Sequence, residues 1–409
     1  MASPDFDVVV VGGGIAGSSL AAALAGAGLG VLIVERESRF RDRVRGDALF
    51  PWGVVELTRL GLADLLPASG ARPLPRWQEY DNRAPGDPYE WRVDVPSGDV
   101  LWGVNHPGLQ EVLLAAATAA GATTMRPAKA LAPSRDPDGR LAVPIVVPEG
   151  RVTARAWLVV GADGRDSGVR GWIGAESVYD PMHHLIGGCL VQGVELAPDA
   201  GYIAKYHGGV SLLFHHASGR ARAYLVCQPD AAHAMRGPNA AAAFLAVCAG
   251  AFPAGAFAHA HAVGPAAFFP GIDVYPDRIS GEGIVLVGDA AGANDPAQGQ
   301  GMSLAFRDVR DLRDLLLASS PRDWQPAIEE FARRRPSWYE PLRAFAIWKG
   351  PLFTDVGPDA DAARARARHA AEHDTWRNGY GAINARGPEG LPVTESARRR
   401  YLGEDLAQA

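Results

Sequence analysis

The feature that most constrains the fold is a short apolar run near the N-terminus that three consecutive glycines break. Residues 7–11 (DVVVV) are an aspartate followed by four apolar, β-branched valines, which is typical of a strand buried on both faces of a parallel sheet. The glycines at 12–14 end this strand, and the small residues of 15–26 then favour a helix. A second apolar run over 30–34 ends at Glu35. This order predicts a right-handed βαβ unit of about 30 residues.

The spacing Gly12-x-Gly14-x-x-Gly17 gives this unit a chemical role. Gly12 allows the tight turn, Gly14 lets the backbone approach a pyrophosphate, and Gly17 lets the helix pack closely on the strand. The helix N-terminus offers unpaired N–H groups to an anion, and an acid in the position of Glu35 accepts hydrogen bonds from a ribose. We therefore predict a dinucleotide site, with Ala16 and Arg36 also among its cofactor-binding residues.

Two further buried strands run into a glycine and an aspartate. Residues 158–160 precede Asp163 in a GADG segment, and residues 284–287 precede Asp289 in a GDAAG segment. The second segment continues as DPAQGQG over 295–301 and leads into a predicted helix. An aspartate at the carboxyl end of a strand can bind ribose or ribityl hydroxyls, and the N–H groups that open the helix can face an anion.

Composition excludes several other classes of protein. The chain has 409 residues, of which 47% are hydrophobic and 21% charged, so a mainly disordered protein is excluded. The net charge of −6 disfavours nucleic acid as a partner. The cysteines Cys189, Cys227 and Cys248 form no C-x-x-C pair, so we expect neither a disulfide scaffold nor a zinc site. We expect a soluble, cytoplasmic protein without a membrane span, because glycines interrupt the uncharged run over 16–34.

A different pattern begins near residue 182, where short apolar runs alternate with glycine turns. The strands predicted there cover 185–194, 202–207, 210–216 and 221–228, and their short connections indicate an antiparallel sheet. Elsewhere we predict a short strand over 91–96 and helices over 53–62, 109–120, 240–250, 301–317 and 326–349.

The predicted fold class is α/β, with α+β character overall. A Rossmann-like domain with a parallel sheet is interleaved with an antiparallel-sheet substrate domain, and helices follow at the C-terminus. The predicted boundaries are 1–75, 98–178 and 270–340 for the nucleotide domain, 76–97 and 179–269 for the substrate domain, and 341–409 for the C-terminal helices.

Three segments, GGGIAG with its distant Glu35, GADGRDSGVR and VGDAAGANDPAQGQGM, together resemble the FAD-dependent aromatic hydroxylases, the monooxygenases built like para-hydroxybenzoate hydroxylase. The motifs occur in the family's order and span about residues 5–320. The resemblance implies FAD as cofactor and NAD(P)H as electron donor. It also implies that the reduced flavin forms a C4a-hydroperoxide with O2, which inserts one oxygen atom into an aromatic or polyketide-like small molecule.

The resemblance assigns roles motif by motif. It implies that Gly12, Gly14 and Gly17 hold the FAD pyrophosphate, Glu35 the ribose and Asp289 the ribityl chain, and that Asp163 serves both FAD and nicotinamide. Backbone N–H groups of Gly299, Gly301 and Met302 would lie near flavin N1, where a helix N-terminus favours the negative charge of the reduced ring. Arg45, ahead of a helix that ends in LGL, resembles a cofactor-binding arginine of the family, and His106 or Gln110 replaces another.

Departures from the family leave the subfamily open. Gly292 stands where many members have histidine, and Ser303 where many have asparagine. A geranylgeranyl-reductase-type oxidoreductase and a two-component epoxidase fed by a flavin reductase partner therefore remain alternatives. A halogenase is disfavoured, because its chemistry needs a lysine after the first segment and Lys129 is the first lysine of this chain. Nothing in the sequence favours a non-enzymatic flavin-binding module.

The candidate catalytic residues are Pro296, which the resemblance implies beside the isoalloxazine ring, and Tyr206 and His215, which could bind or deprotonate a phenol. Alternation along a strand lets only one of Tyr206 and His207 line a cavity, and a core role for each remains open. No metal is expected, since the histidine spacing fits no known site. Trp52, Trp77, Trp91, Trp102, Phe214 and the pair at 268–269 could line an apolar pocket or belong to the core. The sequence leaves open a monomer or a homodimer.

Overall fold

The structure is a computed structural model that describes residues 5–44, 46–95, 97–373 and 382–405. Its strands of three or more residues are β1 Asp5–Val11, β2 Val31–Val34, β3 Arg72–Leu74, β4 Arg76–Asp81, β5 Leu101–Gly103, β6 Thr123–Met125, β7 Leu141–Val147, β8 Gly150–Gly161, β9 Ser177–Tyr179, β10 His184–Gln192, β11 Ala200–Tyr206, β12 Gly209–His215, β13 Arg220–Cys227, β14 Ala267–Gly271, β15 Val274–Pro276 and β16 Ile284–Leu286.

The helices of eight or more residues are α1 Ile15–Gly26, α2 Pro51–Arg59, α3 His106–Ala119, α4 Ala240–Ala251, α5 Gly301–Leu317, α6 Trp324–Arg334, α7 Pro336–Thr354, α8 Pro358–His373 and α9 Glu395–Leu402. Shorter helices cover Trp91–Asp94, Val169–Trp172, Pro229–Ala234 and Ile383–Arg386. Within the described ranges, no helix combines the length and the apolar character that a membrane crossing requires.

A parallel sheet forms the first layer, with strand order β6-β2-β1-β8-β16, and β7 joins β8 in antiparallel orientation. The last four residues of β1 are buried, as expected for a central strand covered on both faces. Helix α1 packs against α3 and α5. Because α1 consists largely of alanine, glycine and serine, its backbone can lie close to the sheet, and Leu20 and Leu24 are its large, fully buried side chains.

A second sheet has the order β14-β10-β13-β12-β11-β4. The strands β10 to β13 pair antiparallel, as predicted, whereas β11 and β4 run parallel, so the sheet as a whole is mixed. One face joins the core of the parallel-sheet layer through Ile186, Ile203, Val210, Phe214 and Val226. The other face is covered by α4, whose Phe244 and Cys248 are fully buried. We call the face toward the parallel-sheet layer the cleft face and the face under α4 the helix face.

The predicted fold class is confirmed, and the domain boundaries stay a prediction. One element was predicted wrongly. The strand expected over 91–96 is instead the helix Trp91–Asp94, because the N–H of Val95 bonds the carbonyl of Trp91 at 2.9 Å, which closes a helical turn with both side chains buried. The helical structure predicted over 326–349 is confirmed, and it consists of two helices, α6 and α7, because Pro336 opens a new helix at its first position.

The segments after α7 pack back on the preceding layers. Tyr401 of α9 contacts Phe345 of α7, with ring centroids 5.9 Å apart. Asn384 accepts a hydrogen bond of 2.6 Å from the Gln300 side chain, just ahead of α5. The C-terminal part of the chain therefore reaches the loop that carries the third predicted motif.

Candidate functional site

Three loops leave the parallel sheet at one edge. Val11 of β1 is paired with Val34 of β2 and with Gly161 of β8, and Gly161 is paired with Leu286 of β16. The loops that follow β1, β8 and β16 therefore start side by side, at the carboxyl ends of neighbouring strands. In open α/β sheets this edge is where ligands bind.

The glycine loop after β1 has the shape that the spacing predicts. Gly12 has a φ of 102°, and a Cβ there would lie 2.4 Å from the carbonyl oxygen of Ala162. A Cβ on Gly17 would lie 1.9 Å from the carbonyl oxygen of Gly12, so α1 can pack this closely only with glycine. At Gly14 the nearest atom to a Cβ would be Nε2 of Gln110, at 3.5 Å. The space beside Gly14 is thus a cradle in front of the α1 N-terminus. Ala16 is a buried residue in the first turn of α1.

Glu35 lies across this loop. It is 5% exposed, and its Oε2 accepts a hydrogen bond of 2.7 Å from the N–H of Gly13. Its Oε1 accepts one of 2.7 Å from the N–H of Glu37. Arg36 is largely exposed and lies 3.8 Å from Glu37, so its predicted cofactor contact stays a prediction. Arg45 lies outside the described residues.

The second and third motifs are joined by Arg170. Its buried guanidinium donates hydrogen bonds to the carbonyl oxygens of Asp289 at 2.8 Å and Ala290 at 2.9 Å, and burial lowers its pKa. Asp163 Oδ2 accepts bonds from the N–H groups of Gly168 at 2.8 Å and Val169 at 3.2 Å, which begins the short helix there. The arginine of the second motif therefore fixes the backbone of the third.

The third motif ends at the N-terminus of α5. Pro296 opens a single 3-10 turn, Gly299 takes a φ of 67°, and α5 begins at Gly301. A Cβ on Gly301 would lie 3.9 Å from Asp289 Oδ1, so the Asp289 carboxylate is beside the start of α5. Met302 is buried behind this turn. The structure thus brings together the predicted residues Asp289, Pro296, Gly299, Gly301 and Met302.

Several buried polar atoms at this edge have no partner within the described chain. They are Oδ1 of Asp163, both side-chain polar atoms of Gln298 and Oγ of Ser303. Unsatisfied buried polar groups are costly, and a ligand that bonds them removes the cost. Together with the cradle at Gly14 and the carboxylates of Glu35 and Asp289, these atoms fit a bound FAD.

The two predicted contacts on α3 lie at the same edge. Gln110 is the neighbour of the Gly14 cradle, as described above. Nδ1 of His106 lies 3.2 Å from the carbonyl oxygen of Gly46, in the loop between β2 and α2. A Cβ on Gly46 would collide with the His106 ring at 2.2 Å. His106 therefore packs on this loop, and its contact with a cofactor stays a prediction.

Tyr206 and His215 are on the helix face of the second sheet. The His215 ring packs against Tyr202, with centroids 6.1 Å apart, and Tyr206 belongs to the same cluster under α4. Burial lowers the pKa of His215 to about 4 and raises the pKa of Tyr206. Because alternate residues point to opposite faces of a sheet, neither side chain faces the cleft. This placement does not support the predicted catalytic role of either residue.

The cleft face instead carries aromatic rings that meet near Gly299. Trp77 has ring centroids 6.3 Å from those of Trp91 and Phe214, and 6.4 Å from that of Phe50. A Cβ on Gly299 would lie 2.8 Å from Phe50 Cε2, so the rings adjoin the turn before α5. We call Phe50, Trp77, Trp91 and Phe214 the aromatic cluster. Nε1 of Trp91 is buried without a partner among the described residues.

Sequence reasoning identified Trp77, Trp91 and Phe214 as pocket candidates but missed Phe50, whose only signal is its position just ahead of a predicted helix. Two other pocket candidates, Trp52 and Phe268, lie outside the aromatic cluster. Trp52 donates a hydrogen bond of 2.8 Å from Nε1 to Oε1 of Gln300, and Phe268 packs on Phe244 of the helix face, 6.0 Å between centroids.

Sequence reasoning also missed a buried ionic network beside the cleft. The Tyr224 hydroxyl donates to Asp47, and His216 Nε2 and Arg222 Nε lie 3.2 Å and 3.3 Å from Asp47 Oδ1. Arg222 also donates to Asp42 at 2.6 Å. Burial alone would raise the pKa of Asp47, but His216 and Arg222 lower it below its ordinary value. The network ties the loop between β2 and α2 to the second sheet.

Comparisons with known proteins agree with this arrangement. A family model described as FAD binding domain matches residues 5–322. The 3-demethoxyubiquinol 3-hydroxylase of Escherichia coli (strain K12) is 26% identical over 374 residues, which cover 82% of this chain and 86% of that protein.

Two solved structures share the fold. The p-nitrophenol 4-monooxygenase of Pseudomonas putida DLL-E4 has a TM-score of 0.79 at 20% identity, over 94% of this chain and 99% of that one. A myxobacterial chondrochloren halogenase has a TM-score of 0.74 at 21% identity, over 98% of this chain and 97% of that one.

Proposed function

The chain belongs to the FAD binding domain family, and from that premise we propose that it is an FAD-dependent monooxygenase. It would take electrons from NAD(P)H and insert one oxygen atom of O2 into a neutral aromatic or polyketide-like small molecule. The observation that carries the proposal is the meeting of the three loops at one edge of the sheet, where Asp289 lies beside the start of α5. The names of the hydroxylase and monooxygenase relatives support the same reaction class.

The residues of the site divide the work of holding FAD. Glu35 and the Gly14 cradle would bind the ribose and the pyrophosphate, and Asp289 the ribityl chain. The first N–H groups of α5 would offer partial positive charge to a flavin ring that becomes negatively charged on reduction. When bound, FAD supplies the redox chemistry between NAD(P)H, O2 and the substrate. The protein orients the substrate and excludes water from the cleft.

The aromatic cluster supports a neutral, planar substrate. Its members Phe50, Trp91 and Phe214 are each 4% exposed, and none of its side chains carries a charge. Aromatic rings bind flat apolar surfaces, and the unpaired Nε1–H of Trp91 can donate to a carbonyl or hydroxyl oxygen of the substrate. We therefore propose that an uncharged aromatic compound is preferred over a carboxylate of similar size.

The lysines argue against a halogenase, whose chemistry needs a lysine to capture hypohalous acid. Lys205 donates a hydrogen bond of 2.7 Å to Glu79, and Lys349 lies over the rings of Phe345 and Phe353. Lys129 is exposed on a short strand that pairs with β7, at the margin of the parallel sheet. Each lysine is therefore engaged or placed away from the turn that contains Pro296.

The test uses purified protein loaded with FAD. Its absorbance would be recorded while NADPH or NADH is added, first without oxygen and then in air. We expect bleaching of the flavin without oxygen and O2 uptake in air. Neutral phenols and polycyclic ketones should accelerate O2 uptake more than benzoates, and ¹⁸O2 should place one ¹⁸O atom in the product. Reduction of a substrate without oxygen would show a reductase instead. A flavin that neither nicotinamide reduces, but that a flavin reductase partner supplies, would show a two-component enzyme.

A further inference from the structure

Besides the ionic network around Asp47, a row of polar side chains leads from the surface to the turn that contains Pro296. We call Asp355, His183, His184 and Asp295 the histidine row. Asp355, which follows α7, has its Oδ1 2.8 Å from Nε2 of His183. Nδ1 of His183 is 3.4 Å from Nδ1 of His184, at the start of β10. Nε2 of His184 is 3.1 Å from Oδ2 of Asp295, the residue before Pro296. Three contacts of hydrogen-bond length or slightly longer thus link four titratable groups. The innermost contact, between His184 and Asp295, has the distance of a hydrogen bond but not its alignment, so Nε2 of His184 has no hydrogen-bond partner among the described residues.

The solvent exposure of the side chains falls from the outer to the inner end of the histidine row. The side chains of Asp355 and His183 are 42% and 35% exposed, whereas those of His184 and Asp295 are 2% and 4% exposed. The outer pair can therefore exchange protons with water, and the inner pair can do so only through its neighbours. Oδ1 of Asp295 accepts a hydrogen bond of 2.9 Å from the N–H of Ala297, so the inner end of the histidine row is part of the turn before α5.

The surrounding backbone holds the inner pair in place. A Cβ on Gly271, at the end of β14, would lie 2.3 Å from His184 Nε2 and 3.1 Å from Asp295 Oδ1. A Cβ on Gly350 of α7 would lie 3.4 Å from His184 Cε1. Both glycines therefore allow β14 and α7 to pack closely against the imidazole of His184.

We propose that His183 and His184 form a proton relay between solvent at Asp355 and the buried carboxylate of Asp295. A proton taken up on Nε2 of His183 allows the N–H bond at its Nδ1 to break as one forms at Nδ1 of His184. The N–H bond at Nε2 of His184 then breaks as an O–H bond forms on Asp295. No electrons are transferred, and each step exchanges one bond to hydrogen for another.

The relay would deliver the proton that the proposed reaction consumes. This role rests on the proposed function, whereas the path of the proton does not. Oxidation of NAD(P)H with oxygen insertion and release of water consumes one proton from solvent in each turnover. A closed, water-excluding cleft needs a path for that proton. A reductase would consume one proton per NAD(P)H as well, so the relay serves either reaction.

Other charged groups lie near the inner end of the histidine row. Asp273 lies next to Asp295 and accepts hydrogen bonds from Asn294 at 2.8 Å and from the Tyr339 hydroxyl at 3.2 Å. Burial raises the pKa of Asp273 to about 7. From α7, Arg343 is paired with Asp180 at 2.6 Å. A pH profile of the relay therefore includes Asp273, which is tested separately by Asp273→Asn.

The first experiment compares His183→Gln with His259→Gln in the FAD-loaded enzyme. His183 is partly exposed, so its replacement should leave the fold intact. His259 is a matched control, because it also lies near a carboxylate, 3.5 Å from Glu195, but at the surface. NAD(P)H oxidation in air, with the neutral phenol or polycyclic ketone that most accelerates O2 uptake, would be measured from pH 5.5 to 9, in H2O and D2O, with and without imidazole. We expect a fivefold or larger loss for His183→Gln, a larger solvent isotope effect, and partial rescue by imidazole, with His259→Gln unchanged.

Equal rates for the two variants would overturn the relay. A slower His183→Gln enzyme without an isotope effect or imidazole rescue would also overturn it, because a purely structural role gives that result.

A second experiment does not depend on turnover. Histidine-labelled ¹⁵N spectra of the FAD-loaded protein would be followed over pH in wild type, Asp355→Asn and His183→Gln. If the relay exists, the His184 nitrogen signals move with those of His183, and Asp355→Asn shifts both. Signals of His184 that ignore both substitutions would overturn the relay. Linked titration in a protein that inserts no oxygen would leave the relay standing and overturn the proposed function.

Discussion

The carboxylate of Glu35 accepts a hydrogen bond of 2.7 Å from the N–H of Gly13, which joins the end of β2 to the glycine loop after β1. The other oxygen is bonded to the N–H of Glu37. A carboxylate has lone pairs for more than one donor on each oxygen, so both bonds can persist when a ribose hydroxyl is added. Glu35 therefore shapes the loop as well as offering an acceptor to the ligand.

Glu35→Ala should weaken FAD binding at least tenfold, a loss of about 1.4 kcal/mol, because it removes a ribose acceptor and leaves the Gly13 N–H without its partner. FAD affinity would be measured by quenching of flavin fluorescence. Glu37→Ala is the control, since that side chain pairs with Arg43 at 3.0 Å outside the loop. Equal affinities in the two variants would contradict the assignment of Glu35.

Gly14 and Gly17 should respond differently to the same kind of substitution. Gly14 has φ −71°, and a Cβ there would meet only Nε2 of Gln110, at an ordinary contact distance of 3.5 Å, so Gly14→Val should fold normally but exclude the pyrophosphate and abolish FAD binding. At Gly17 a Cβ would lie 1.9 Å from a carbonyl oxygen, so even Gly17→Ala should destabilise the fold by several kcal/mol. Flavin absorbance and thermal melting separate the two effects. A Gly14→Val protein with normal flavin content would remove the basis for the nucleotide site.

The motifs that the sequence located are local signals. A glycine loop, an aspartate after a strand and the start of α5 at Gly301 each depend on neighbouring residues, and the predicted helix over 301–317 agrees with the structure. Strand β4 was missed because its residues, RWQEYD, are half-buried or exposed and show no apolar alternation. Its pairing with β11, more than a hundred residues later, decides that it is a strand.

The substrate side was harder to predict for a physical reason. Alternation shows which residues of a strand share a face, but not which face meets the cleft, so Tyr206 and His215 could not be distinguished from the residues beside them. The aromatic cluster draws its rings from separate segments of the chain, as does the contact of His184 with Asp295. Such contacts are set by how the two sheets pack together, and no local pattern records them.

Arg170 is predicted to be essential for the shape of the third motif. Arg170→Met removes donors to the carbonyl oxygens of Ala290, which is buried, and of Asp289 and Arg165, which are partly buried, and should cost roughly 3–5 kcal/mol of unfolding free energy. The surviving folded protein should bind FAD more weakly. Urea unfolding measures the loss, and Arg278→Met, at an exposed site, should change stability by less than about 0.5 kcal/mol. Comparable stabilities would show that Arg170 does not brace the motif.

Asp273 predicts a pH dependence of stability with a definite sign. Burial raises its pKa from the ordinary 3.8 to about 7, with the charge of Asp295 acting in the same direction. At pH values between these two, the folded protein holds a proton that the unfolded chain releases. Stability from this group is therefore present at low pH and is lost as the pH rises through about 7. Between pH 6 and pH 8 the loss should be on the order of 1 kcal/mol.

Urea unfolding at pH 6, 7 and 8 tests this dependence by comparing slopes rather than absolute stabilities. Asp273→Asn keeps the shape and an acceptor for Tyr339 but cannot titrate, so its stability should fall less over this range than that of the wild type. Asp314→Asn removes the same charge from a side chain that is 49% exposed, and it should retain the wild-type slope. If Asp273→Asn also retained the wild-type slope, the proton would be held by another group of the buried cluster, with Asp273 ionised throughout.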